Sequence, residues 1–332
     1  MEEWENWSPN REFRHLHELC ITNCPKLLGK LPNHFPLLEK VSVQDCPRLV
    51  VSISSFPEFC RLQIGESEGV IHENKIVFNS LNSKSFSTIS EFTYPIEEFV
   101  LEGLTEVKNL YIKNCEELTR LLQSLPCLRV LMIEKEQPKE GMPSTYHGME
   151  SLPKEIMYNN TCLEHIKING CDSLTHVARG QLPPTLKRLE IHSCKNMLSL
   201  FDEDDANICS SSTSLLEFLL IWNCPSLKFL TSSVKLPAAL QRLHISDCGQ
   251  LESIAKSEEL PATLQYLCIC GCGQLESIAK SFHHNSSLKE IIIGECENLK
   301  SLPTGIHTLS HLDMISIQHC LFLQSHEEIR WS

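Results

Sequence analysis

No run of eighteen apolar residues occurs in this 332-residue chain, so nothing in it is a candidate for a membrane-spanning helix. The opening residues do not read as a secretory leader: Met1 is followed by Glu2, Glu3, Trp4, Glu5 and Asn6, with neither a basic start nor an apolar stretch. Positive charge is short, with 29 Lys and Arg against 42 Asp and Glu. The resulting formal net charge of −13 argues against nucleic acid or anionic membrane as a main partner, because both select a basic surface. The chain also lacks a G-x-x-x-x-G-K-[ST] phosphate loop. It has no nucleophile elbow, and no acid and base spaced so that one face would hold both. The chain is accordingly read as a binding protein and not an enzyme, with no catalytic residues, no metal site and no cofactor.

What the chain has in abundance is one frame, apolar-x-x-apolar-x-apolar-x-x-Cys-x-x-apolar, returning every 21 to 35 residues from Leu16 to Leu323. From Leu216 onward it keeps a 24-residue period, with Leu216/Leu219/Ile221/Cys224 and Leu240/Leu243/Ile245/Cys248 as two successive examples. A fixed period of this length marks a leucine-rich-repeat solenoid. Two units are degraded: Phe59/Leu62/Ile64 with Ser67 at the cysteine position, and Leu81/Phe86/Ile89 with Lys84 where an apolar residue is expected. With them the count is about thirteen.

The x-apolar-x-apolar-x stretch has the period of a strand buried on one face. Successive strands joined by crossovers of a dozen or more residues must run parallel, so thirteen rungs predict a sheet about 60 Å long. The expected architecture is an α/β solenoid, a horseshoe with the parallel sheet on its concave face and irregular or short helical returns on its convex side. Residues 1–15 are read as a capping or pre-repeat segment, 16–325 as the solenoid and 326–332 as a tail. One unit cannot bury its own apolar face, so stability is expected to come from neighbouring rungs.

Ten of the seventeen cysteines occupy the same place in the frame. At the turn leaving the strand, a small buried side chain with a weak S–H donor can satisfy a backbone carbonyl. Stacked rungs would also place these thiols within disulfide range. An odd cysteine count and no leader favour free thiols in a reducing compartment. The run Cys268-Ile-Cys-Gly-Cys272 is not read as a metal site, because Cys268 and Cys270 should face the concave side and Cys272 the core. His283-His284 falls in a return with no partner carboxylate or thiol in a recognisable arrangement. Asn6, Asn159 and Asn285 stand in N-x-S/T sequons, which chance accounts for. The acidic run Asp202-Glu-Asp-Asp205 continues into a serine tract and is read as a solvated loop spanning 202–214. An insert at 137–160, with three prolines and two glycines, should bulge from the convex or lateral side.

The residues flanking the inward apolar positions give the concave wall. One rung stands out: Phe218, Leu220 and Trp222 all point outward, and Leu219 and Ile221 already fill the inward positions. Arg188 and His192 lie on one side, Arg242 and His244 on the other, and Tyr266 one rung beyond. An aromatic centre ringed by arginine has the composition of a protein-binding hot spot, so these eight residues are the candidate contact surface. The alternative is that the 202–214 loop folds over the row.

Several phrases carry a resemblance. The opening Met1-Glu-Glu-Trp-Glu-Asn-Trp-Ser8 leads into Leu16-His-Glu-Leu-Cys-Ile-Thr-Asn-Cys-Pro-Lys-Leu27. Further on stand Leu182-Pro-Pro-Thr-Leu-Lys-Arg-Leu-Glu-Ile191 and Leu260-Pro-Ala-Thr-Leu-Gln-Tyr-Leu-Cys-Ile269. Together they resemble the repeat region of plant intracellular coiled-coil nucleotide-binding leucine-rich-repeat disease-resistance proteins. The resemblance implies a module of innate immunity in the cytoplasm or nucleus. Its implied partners are a pathogen effector or guarded host protein, and the nucleotide-binding domain of the same receptor. ADP or ATP would belong to that domain, whose phosphate loop this chain lacks. A fragment of a longer receptor and a truncated product both fit. The alternative function is the substrate-recognition adaptor of a ubiquitin ligase, and a third is an extracellular receptor ectodomain glycosylated at Asn159 and Asn285.

Overall fold

A computed structural model of the chain describes residues 13–22, 24, 27, 29–30, 35–44, 49–52, 59–64, 67–72, 75–80, 100–102, 108–113, 127–134, 150–152, 160–178, 182–201, 215–231, 236–255, 260–283 and 286–323. The chain divides into two compact units, one formed by Met1–His147 with Asn159–Leu163, the other by Gly148–Tyr158 with Glu164–Ser332.

In the second unit each pentad of the frame forms one five-residue strand. His165–Asn169, Arg188–His192, Phe218–Trp222, Arg242–Ser246, Tyr266–Cys270, Glu290–Gly294 and Met314–Gln318 pair in parallel, each with the next and in strict register. The inward positions, such as Leu219, Ile221, Leu243, Ile245, Leu267 and Ile269, are completely buried. Each such side chain removed from water contributes about 1.5–3 kcal/mol.

A turn at the frame cysteine follows every strand of the second unit, ending in Met197 once and in leucine elsewhere, and a Pro-x-x-Leu turn precedes three of the strands. In Cys-x-x-Leu the leucine N–H donates to the cysteine carbonyl, as in Leu227 to Cys224 and Leu251 to Cys248, both near 3.0–3.1 Å. In the Pro-x-x-Leu that precedes a strand, Leu186, Leu240 and Leu264 donate in the same way to Pro183, Pro237 and Pro261. Both leucines are buried, so the turns hold the corners of each rung onto the core.

The residue just after each strand takes the left-handed conformation: Gly170, Ser193, Asn223, Asp247, Gly271, Glu295 and His319, with φ between 51° and 71°. This bend aims its N–H at the following rung, where it meets the carbonyl that closes the neighbouring strand, as from Asn223 to Ser246 and from Asp247 to Cys270. The frame cysteine donates its S–H to that same class of carbonyl within its own rung, as from Cys224 to Trp222 and from Cys248 to Ser246, at 3.3–3.8 Å in the second unit. The repeated thiol is therefore the second donor to a doubly accepting carbonyl, the packing role expected from its position. The thirteen cysteines whose side chains the structure describes are free thiols. Hydrogen bonding to a neighbouring thiol, and then burial, hold Cys194, Cys248 and Cys272 far above the ordinary thiol range.

The returns carry a second, shorter β ladder: His176–Ala178 pairs with Ser199–Phe201, and Phe229–Thr231 with Ser253–Ala255. A single 3-10 turn, Ile306–Thr308, is found among the described residues. Part of the 137–160 insert does not bulge away. Leu152, 1% exposed, donates its N–H to Val177, and Thr175 and His176 donate theirs to Glu150, so residues 150–152 extend the back of the first rung.

The first unit starts with the same parallel pattern, Glu18–Thr22 beside Lys40–Gln44 beside Phe59–Ile64. It then departs from the expected one strand per repeat. Ser67, placed at the cysteine turn by the frame, begins a strand, Ser67–His72, antiparallel to Phe59–Ile64, and Lys75–Ser80 runs antiparallel to that in turn. Lys75–Ser80 resumes the parallel order with Asn109–Lys113, which pairs with Val130–Glu134. The expected unit on Leu81, Phe86 and Ile89 lies outside the described residues, as does the 202–214 loop.

Candidate protein-binding face

Register sets the site. Because every rung presents its first, third and fifth residues on the open face, in-register stacking turns them into three rows running across the strands. Arg188, Phe218, Arg242 and Tyr266 fall in the first row, Glu190, Leu220 and His244 in the second, and His192 and Trp222 in the third. All eight candidate residues thus share one face on four consecutive strands.

Two contacts in the first row pair an arginine with a ring. The Arg188 guanidinium carbon lies 3.8 Å above the centre of the Phe218 ring, and that of Arg242 lies 5.9 Å from the Tyr266 centroid. Both are within range of a cation–π interaction. Trp222 is 44% exposed, yet its polar end is satisfied, since Nε1 donates to Asp247 Oδ2 at 2.7 Å. The His192 ring stands edge-on to the indole, with centroids 6.1 Å apart. Trp222 is consequently held in one orientation with apolar surface turned to solvent, which is what a contact anchor requires.

Sequence reasoning placed Glu190 on this face without giving it a role, and the structure makes it the hub. Its side chain is only 8% exposed. It accepts a hydrogen bond from Arg188 Nε and faces His165 Nε2 at 3.1 Å, His192 Nε2 at 3.3 Å and Lys167 Nζ at 3.8 Å. A buried carboxylate needs such partners. The signal was present in Arg-Leu-Glu-Ile-His, where alternation throws three ionisable groups to one side. The other partners come from the neighbouring rung and become visible only with the register. Asp247, which fixes Trp222, was missed for the same reason.

Burial acts to raise the Glu190 pKa, but the hydrogen bond and charge of Arg188, then His192 and His165, outweigh it and hold the carboxyl below its ordinary 4.5. Burial lowers His165 from 6.5, with Glu190 opposing and Arg188 and Lys167 adding to the effect. Burial likewise lowers His244, against the pull of Asp247. Burial and then the Cys268 thiol push Tyr266 up to about 12. In each depressed case the folded state binds fewer protons than the unfolded state between the two pKa values, so stability rises with pH across that window. Thermal midpoints should therefore fall as pH drops below 6.5, where the histidines begin to charge, and fall again below 4.5. Glu190→Gln should flatten the lower limb and leave the limb from His244, a comparison that a melting series from pH 8 to 3 makes directly.

Cys268 and Cys270 point to this face as expected, with their sulfurs 3.9 Å apart, but Cys268 is covered by its neighbours and buried. Cys272 turns away and donates to the Cys270 carbonyl. Among the described residues, no three His, Cys, Asp or Glu side chains are grouped as metal ligands. Nor is any described helix long and apolar enough to cross a membrane.

Parallel rungs in register, a 24-residue frame and a recurring turn at the frame cysteine define a leucine-rich-repeat solenoid, and such a scaffold is a protein-interaction module. No family model matches the chain, and neither does any curated protein. Among solved structures the chain is similar to the leucine-rich-repeat domain of the type III effector XopL, at a TM-score of 0.39 and 16% identity over 65% of this chain and 71% of that one. The functional reading rests on the face itself.

Proposed function

We propose that this chain is the protein-recognition module of a plant innate-immune receptor of the nucleotide-binding leucine-rich-repeat class. It contacts a pathogen effector or a guarded host protein, and it restrains an attached nucleotide-binding domain until that contact forms. Binding that differs between the restrained and released states would shift their populations. The observation that carries the binding half is the ordered Trp222, whose apolar surface is exposed while its N–H is already satisfied. The plant-receptor half is supported by the family-like phrases from Leu16 to Ile269.

Trp222→Ala should weaken the partner by roughly 30-fold, an effect of hot-spot size, and leave the melting midpoint of the isolated chain within about 3 °C. Proximity labelling in leaf tissue, wild type against variant, reads the first effect and calorimetry the second. An unchanged set of labelled proteins, or a larger drop in midpoint, would count against the binding role. The restraint half is tested by sequencing the native transcript upstream of Met1, where a phosphate loop in frame is expected.

A further inference from the structure

The first row of the face alternates cation and ring at a fixed interval. Arg188, Phe218, Arg242 and Tyr266 occupy equivalent positions on consecutive rungs, with Glu290 next in line. Each guanidinium faces the ring of the following rung, Arg188 closely and Arg242 at the outer edge of cation–π range. Arg188 is further fixed through Nε by Glu190, which leaves the terminal nitrogens of its fork as donors. Its side chain is 43% exposed, and Arg242 is exposed too. In a chain of net charge −13, two arginines held outward run against the overall sign. At physiological salt the screening length is about 8 Å, so a bound group feels Arg188, Lys167 and Arg242, set against the one buried carboxylate of Glu190, more than the distant excess of acid.

The spacing selects the ligand's backbone. Adjacent rungs are about 4.8 Å apart, which puts Arg188 and Arg242 about 9.6 Å apart across the strands. A polyproline II segment rises about 3.1 Å per residue with three residues per turn, so residues i and i+3 project from the same side about 9.3 Å apart. Same-side residues of an extended strand recur at about 6.7 and 13.4 Å and miss the interval. Between the arginines lies the Phe218 rung, whose half-buried ring already carries the Arg188 guanidinium, so this stretch offers a segment an oriented cation rather than a bare ring.

We infer that this row is a groove for an acidic polyproline II segment of the partner protein, with two carboxylates three residues apart paired to Arg188 and Arg242. The inference deepens the recognition role proposed above and rests on it. Glu290 ends the groove, because a third carboxylate spaced onward from Arg242 would meet it.

Fluorescent peptides of the form Ala-Glu-Ala-Pro-Glu-Ala, with isomers spacing the two acids at i,i+2 and i,i+4, a double-Gln control and a helix-forming i,i+7 peptide, test this by anisotropy at 0.15 M salt. The i,i+3 peptide should bind at least ten-fold more tightly than every other one. Arg188→Gln and Arg242→Gln should each remove that preference, with circular dichroism melts confirming that both variants fold. Equal affinity across spacings, preference for the i,i+7 helix, indifference to Arg242→Gln, or no binding of the i,i+3 peptide at 1 mM would overturn it. If these tests fail and Trp222→Ala still removes the labelled partner, only the groove is lost. If both fail, the recognition role falls with it.

Discussion

Gly271→Val, in the left-handed turn just past the Tyr266–Cys270 strand, is expected to be strongly destabilising, costing on the order of 3–5 kcal/mol. Gly271 holds φ +62°, and a Cβ there would sit 2.6 Å from Asp247 Oδ1, 3.2 Å from Asp247 N and 3.3 Å from Asp247 Cα. The last two are backbone atoms of the preceding rung and cannot rotate away. A β-branched residue is additionally a poor occupant of the left-handed region. Displacing Asp247 also removes the acceptor of the Trp222 indole, so the indole emission should shift along with the midpoint. Gly271→Ala should follow the same pattern at roughly half the size. Gly249, two residues after Asp247, has nothing within 4 Å of the added carbon and no positive φ. Gly249→Ala should therefore be neutral or slightly stabilising, within about 0.5 kcal/mol. Urea midpoints for the two alanine variants that agreed with each other would show that the rung contact at Gly271 does not constrain the fold.

Glu190→Ala is expected to cost about 2–4 kcal/mol, because it leaves His165, Lys167, Arg188 and His192 crowded with no counter-charge. The range lies at or below that for a fully buried pair because Lys167 and Arg188 are each more than a third exposed and can rehydrate. Arg188 would also lose the hydrogen bond that holds its side chain over Phe218. A double-mutant cycle with Arg188→Ala measures the coupling. A coupling energy near zero would mean that Glu190 is held by its other partners and that Arg188 is ordered by the ring alone.

The strands from Leu216 onward were legible because the frame repeats without insertion and each inward position is aliphatic. The Phe218–Trp222, Arg242–Ser246 and Tyr266–Cys270 strands fall where alternation put them. The cysteine's role was legible too, since its position past the strand leaves it few acceptors besides the closing carbonyl. The meander at 59–80 was not anticipated, although the sequence held a sign of it. Only two residues separate Phe59–Ile64 from Ser67–His72, and two more separate that strand from Lys75–Ser80, whereas a parallel return needs a dozen. Matching Ser67 to the cysteine position hid that constraint. The candidate face was legible as composition but not as a network. Glu190 meets His165 across 25 positions of sequence, and Trp222 meets Asp247 across 25. Such pairs depend on how one rung sits on the next.

That stacking leaves a trace in the chain's history. Cys248-Gly-Gln-Leu-Glu-Ser-Ile-Ala-Lys-Ser257 is repeated letter for letter as Cys272-Gly-Gln-Leu-Glu-Ser-Ile-Ala-Lys-Ser281, while the strands that precede the two copies differ at every outward position, Arg242/His244/Ser246 against Tyr266/Cys268/Cys270. Copying a 24-residue block in the gene adds one whole rung and lengthens the face by about 4.8 Å. The turns and thiols that join rungs arrive already matched to their neighbours, and three outward side chains on the newcomer are free to drift. A lineage built this way can acquire new targets by duplication, with the selective cost confined to a few surface codons.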